Sequence, residues 1–189
     1  MEIKSVLCVD ACDFENNQSG KSGGALSNRT PSFDLHLKKA SFTDNEAKFS
    51  GGAVYTMGYS VIRKSSFLKN SALEGDGGAL MTRNQCKLSH SNFTENRSSL
   101  NGGGIAVDQK GTLFCDDTVF HKNFARCGGG VVFLLNEDQS SKREPSYNPD
   151  ANASGGGSLS QESLKSNLSC CVFSQNTVSE NGDLWGIMV

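Results

Sequence analysis

Proline is scarce, with three residues in 189, and no apolar run approaches the ~20 residues that cross a bilayer as a helix. A direct helical membrane span is therefore not expected in this chain. Charge of one sign is missing too. The 18 Lys and Arg stand against 20 Asp and Glu, a formal net charge of −2, and the cations are scattered instead of forming a stripe. That leaves no electrostatic footprint for nucleic acid. Histidine is limited to three residues with no His-x-x-x-His pair, and the seven cysteines include no Cys-x-x-Cys. Neither zinc nor any other metal or cofactor is expected.

What the chain does hold is glycine, 21 residues of it, together with abundant Ser and Asn. That balance suits many short strands joined by tight turns and argues against long amphipathic helices. Six of the eleven phenylalanines open a Phe-x-x-Asn motif: Phe14 and Asn17, Phe42 and Asn45, Phe67 and Asn70, Phe93 and Asn96, Phe120 and Asn123, Phe173 and Asn176. Successive copies start 28, 25, 26, 27 and 53 residues apart, the last interval being two periods, so the period is about 26 residues. A glycine step runs in phase with them. It reads Gly23-Gly24-Ala25-Leu26, Gly51-Gly52-Ala53-Val54, Gly77-Gly78-Ala79-Leu80, Gly102-Gly103-Gly104-Ile105 and Gly128-Gly129-Gly130-Val131, with a worn Gly182-Asp183-Leu184-Trp185 last.

Aligned on the Phe, the copies carry Leu7, Leu35, Ser60, Cys86, Leu113 and Ser166 seven residues upstream, and Val9, Leu37, Ile62, Leu88, Cys115 and Leu168 five upstream. A spacing of two marks one face of a strand. Two residues before the Phe stand Cys12, Ala40, Ser65, Ser91, Thr118 and Cys171, all small. The odd step between these pairs predicts a bend. A unit of about 26 residues fits three short strands and their turns, the size of one coil of a parallel β-helix. The predicted fold is thus all-β, a solenoid of about six coils forming a single domain over 1–189. Stacking coils at roughly 4.8 Å sets each Phe over the last, with the Asn laddering at the corner and the glycines in a tight turn. Spacing alone leaves open whether the Ala or the following aliphatic points inward.

Within the long interval, Tyr147-Asn148-Pro149-Asp150 and Gly155-Gly156-Gly157 keep the phase, but 140–145 offer no apolar face. An exposed loop over 136–165 is expected in preference to a degenerate rung. By column, Cys12, Cys86, Cys115 and Cys171 are expected inside, and Cys8, Cys127 and Cys170 are candidates for exposed thiols that link oligomers. The odd count leaves at least one cysteine unpaired within a monomer. Gly75-Asp76-Gly77-Gly78 faintly suggests a calcium repeat, yet the aspartate has no second copy.

The paired Phe-x-x-Asn and Gly-Gly-Ala-aliphatic motifs at this phase resemble the repeats of the chlamydial polymorphic membrane proteins, a family of autotransporters. The resemblance covers nearly the whole chain. It implies a right-handed parallel β-helical passenger segment on the bacterial outer membrane or cell surface, a virulence-associated adhesin or antigen. The implied partners are a host-cell receptor and other passenger segments, and the motifs themselves are implicated in adhesion. Two departures from a full family member are the missing signal peptide and the missing C-terminal barrel, so the sequence reads as a fragment or truncated product. The repeats run to both ends without polar capping units, from which end-to-end association or aggregation is expected.

The competing class is a polysaccharide lyase or hydrolase on the same fold, whose chemistry needs clustered acids in a groove. Asp116-Asp117 is the only adjacent aspartate pair, and neighbours on a strand face apart. No catalytic role is expected. An extracellular structural repeat scaffold is the third reading.

Overall fold

The computed structural model describes residues 5–108, 111–130, 132–134 and 167–178. Every regular element among them is a strand, and every pairing is parallel between one repeat and the next. The first sheet runs through Ser5–Asp10, Phe33–Lys38, Ser60–Arg63, Gln85–Ser89, Thr112–Asp116 and Asn167–Ser169. Its register superposes the upstream columns: Leu7 lies beside Leu35, Leu35 beside Ser60, Cys86 beside Leu113, and Cys115 beside Leu168. The second sheet carries the Phe, from Asp13–Glu15 to Val172–Ser174, in unbroken Phe-to-Phe register.

Each coil has four strands, not the three expected. The additional one is a two-residue strand directly after the ladder Asn, such as Glu46–Ala47, Ser71–Ala72 and Arg97–Ser98. It is too short to show alternation in a sequence. The fourth sheet follows the glycine step, as in Val54–Thr56, Leu80–Thr82 and Ile105–Val107. Three sheets hold six strands and the fourth holds five. Among the described residues, five coils are therefore complete and a sixth contributes three strands, slightly short of the six expected. The expected loop at 136–165 lies outside the described residues, as do Ser166 and the Gly182 step.

The core is a set of columns parallel to the stack. Phe42, Phe67, Phe93 and Phe120 are fully buried, and the six rings stack face to face with centroids 4.4–5.2 Å apart. Beside them lie Leu35, Leu37, Ile62, Cys86, Leu88, Leu113 and Cys115. Ala53, Val54, Ala79, Leu80 and Ile105 are all buried. The open choice between Ala and aliphatic is resolved as both: the glycine turn folds the Ala down onto the core before the strand alternation places the aliphatic there.

Three details differ from the sequence reading. In the fifth repeat Ile105 pairs with Val132, which aligns Gly102 with Gly129 and Gly103 with Gly130. The functional step there is Gly129-Gly130, one residue later than the motif alignment with Gly128 and Gly129; Gly128 bridges to Asn101 instead. Cys12 is exposed, because its coil is packed on one side only among the described residues. Cys127 is half-buried, with its Sγ 3.9 Å from the Ser99 carbonyl.

Candidate functional site

A coil must reverse direction without glycine at two of its corners. Three residues before each Phe, Ala11, Lys39, Lys64, His90, Asp117 and Cys170 adopt left-handed backbone, with φ between 43° and 53°. Two residues after each Phe, Asn16, Asp44, Lys69, Glu95, Lys122 and Gln175 do the same, with φ between 52° and 56°. Such residues cost roughly 1–2 kcal/mol each outside glycine, so the surroundings must hold them.

The motif Asn supplies that hold. Asn70 Oδ1 accepts from the Asn45 backbone N–H at 3.1 Å and from Asn45 Nδ2 at 3.0 Å, while its own Nδ2 donates to Phe42 O at 3.0 Å and to Asn96 Oδ1 at 2.9 Å. Both amide protons and the carbonyl are used. The same pattern links Asn17, Asn45, Asn70, Asn96, Asn123 and Asn176 in one ladder. The ladder captures backbone N–H groups that the bend would otherwise orphan.

The column two residues before the Phe performs the equivalent task at the other corner. Ser65 Oγ donates to Arg63 O and accepts from the Ala40 N–H, and Ser91 Oγ donates to Ser89 O while accepting from the Ser65 N–H. Thr118 and Cys171 bond back to the carbonyl two residues upstream in the same way. Sequence reasoning recorded only that these residues were small; the preponderance of Ser, Thr and Cys over Ala was the available signal.

In the glycine step the two positions have different duties. Gly23, Gly51, Gly77, Gly102 and Gly129 take positive φ at the turn. The next glycine permits close approach: a Cβ on Gly52 would lie 2.0 Å from Gly78 O and 2.6 Å from backbone atoms of Ser71. Gly24, Gly78 and Gly103 are equally crowded by backbone.

The surface that remains is the pair between Phe and Asn. It reads Glu15-Asn16, Thr43-Asp44, Leu68-Lys69, Thr94-Glu95, His121-Lys122 and Ser174-Gln175 in successive coils, all at least partly exposed. Two of the contacts between charged side chains of adjacent coils are solvent-exposed, Lys38 with Asp10 at 3.2 Å and His90, an ion pair only when protonated, with Asp117 at 3.4 Å, and contribute little to stability. Asp117 therefore faces a histidine on the adjacent coil, and Asp116 and Asp117 build no paired-carboxylate site. Asp76, in the faint calcium motif, is buried, and its Oδ1 accepts from the backbone N–H and side-chain amide of Asn101. Among the described residues no group of three or more His, Cys, Asp and Glu is placed to hold a metal, and no helix is long and apolar enough to cross a membrane.

Residues 11–29, spanning the first Phe-x-x-Asn and the first glycine step, match the family model of the Chlamydia polymorphic membrane protein repeat. Comparisons with curated proteins and with solved structures return no match.

Proposed function

From the match of residues 11–29 to the Chlamydia polymorphic membrane protein repeat, and the recurrence of the same motifs in later coils, we propose that the chain is a surface-displayed passenger segment that attaches to a host cell. The family is of the autotransporter type found at the outer membrane or cell surface and is not a known enzyme family. The binding surface is the exposed ridge formed by the pairs between each Phe and Asn, with the left-handed corners three residues before the Phe beside it. One observation carries this reading: the motif Phe and Asn are fully buried in the inner coils, so a partner meets the variable residues that the motif presents. Host receptor and neighbouring passenger segments are the two partners proposed for such a ridge, with exposed Cys8 and Cys170 able to link chains through disulfides.

The test is attachment of protein-coated beads to cultured epithelial cells, comparing Asp44→Ala, Lys69→Ala and Glu95→Ala, singly and together, with Asn70→Ala. The exposed changes should reduce attachment while leaving β circular dichroism and the melting temperature intact. If the triple variant attaches as well as the parent, and attachment fails only when a coil unfolds, the ridge is not the binding surface.

A further inference from the structure

Five residues before the Phe and two before the Phe are separate columns, but between the fifth and sixth coils the bend brings the −5 residue of one against the −2 residue of the next. Read in that order along the sequence, the −5 residue of one coil and the −2 residue of the next are Val9 and Ala40, Leu37 and Ser65, Ile62 and Ser91, Leu88 and Thr118, and Cys115 and Cys171. Cysteine meets cysteine only at the last. There the two Sγ atoms lie 3.2 Å apart, closer than the ~3.5–4.0 Å at which unbonded carbon atoms pack, although sulfur is the larger atom. We propose that Cys115 and Cys171 are a disulfide-forming site that staples the fifth coil to the sixth.

The residues divide the chemistry between them. Cys171 is half-buried and reachable, whereas Cys115 is buried. Burial, reinforced by the neighbouring thiol of Cys171, pushes the Cys115 thiol well above its ordinary pKa. Oxidation therefore starts at Cys171. With a small-molecule disulfide such as oxidised glutathione as oxidant, the Cys171 thiolate attacks one sulfur, the glutathione S–S bond breaks, and one glutathione thiolate leaves. Cys115 gives up its proton to that thiolate and attacks Cys171 Sγ, breaking the mixed disulfide and releasing the second glutathione as a thiolate, which takes up the proton that Cys171 gave to solvent on ionising. Two electrons pass from the two cysteines to glutathione, which ends as two thiols. The adjacent Cys170 occupies the left-handed corner and is exposed, so it does not compete for Cys115.

The position gives the bond its use. Cys115 and Cys171 are 56 positions apart, so the bond closes the long interval between the fifth and sixth Phe-x-x-Asn copies at its base. Within a solenoid, where each coil holds only its neighbours, such a staple fixes the sixth coil to the stack independently of the chain between them.

The full chain is treated with oxidised glutathione, blocked with an alkylating agent, digested without reduction and sequenced by mass spectrometry. The expected product is a peptide containing Cys115 joined to one containing Cys171, two hydrogens lighter than their sum. It should persist in Cys170→Ser and vanish in Cys171→Ser. The oxidised chain should also melt higher than the reduced one by roughly 5–15 °C if the loop-closure effect is fully expressed. Recovery of Cys115 as the alkylated thiol, with the block carried out in denaturant so that buried thiols react, overturns the proposal, as does its bonding to Cys86 or Cys170.

Discussion

Replacing Asn70 by Ala tests whether the ladder holds the corners or merely accompanies them. The substitution deletes four hydrogen bonds of 2.9–3.1 Å and leaves two donors orphaned, the Asn45 N–H and one proton of Asn45 Nδ2, while the Phe42 carbonyl keeps its place in the strand ladder with Ser66–Leu68. Asn96 Oδ1 keeps the bond from the Asn70 backbone N–H. Each buried orphan costs roughly 1–3 kcal/mol, and relaxation makes the sum less than additive, so about 2–4 kcal/mol is expected. That is a large share of the ~5–15 kcal/mol available to a folded domain. Urea unfolding followed by circular dichroism measures the loss, and amide hydrogen exchange at Asn45 should show protection falling at that N–H first. Asn17 is the internal comparison, because it is exposed and its amide reaches only the Asn45 side chain; Asn17→Ala should cost under about 1 kcal/mol. An Asn70→Ala protein within about 1 kcal/mol of the parent, or equal losses at Asn17 and Asn70, would refute the reasoning.

Phe67 is fully buried between rings 4.9 Å and 4.4 Å away, and Phe67→Ala should cost about 3–5 kcal/mol by chemical denaturation. Gly52→Ala should cost about 3 kcal/mol or more, since its Cβ would press on backbone that cannot rotate away, whereas Gly20→Ala, with nothing within 4 Å, should change stability by less than about 0.5 kcal/mol. Burial raises the Cys86 thiol from 9.0 to about 11, so the native state favours the neutral thiol. Its contribution is intact below pH ~9 and is lost as pH climbs to about 11, by at most roughly 2.7 kcal/mol. Comparing denaturant midpoints of the parent and Cys86→Val between pH 8 and 11 isolates that slope, which the variant should lack.

The Phe column was legible because a buried aromatic returns at one phase of every coil, and the upstream columns because their spacing of two survives the bend. The fourth strand was not. In Glu46–Ala47 only one residue faces inward, and a single Ala does not announce a strand. Nor were the left-handed corners: Lys64, His90 and Asp117 lack the glycine signature, since each is spanned by a side-chain bond from the next residue, Ser65, Ser91 and Thr118, to the carbonyl before it. Three consecutive glycines at 128–130 hid which one turns, and the positive φ of Gly129 together with the pairing of Ile105 with Val132 identifies it. Cys12 followed its column but not its burial, because column membership fixes direction and burial also needs a neighbour on each side.

The division of labour within Phe-x-x-Asn explains how one motif can repeat unchanged while the surface it presents varies from coil to coil. Phe and Asn are held to their identities by the stack and the ladder, and both point inward in the inner coils. The residue before the Asn is required to accept left-handed backbone and nothing more, since Asp44, Lys69, Glu95 and Lys122 all meet that requirement. With coils at about 4.8 Å, a partner touching three coils spans only ~10 Å and reads a sequence of charges, here negative, positive, negative across Asp44, Lys69 and Glu95. Charge order along the ridge, set one coil at a time, is then the variable that evolution or design can change without disturbing the fold. Asp44→Lys with Lys69→Asp preserves net charge and leaves the ladder untouched, so a change in attachment with an unchanged melt would trace recognition to that order alone.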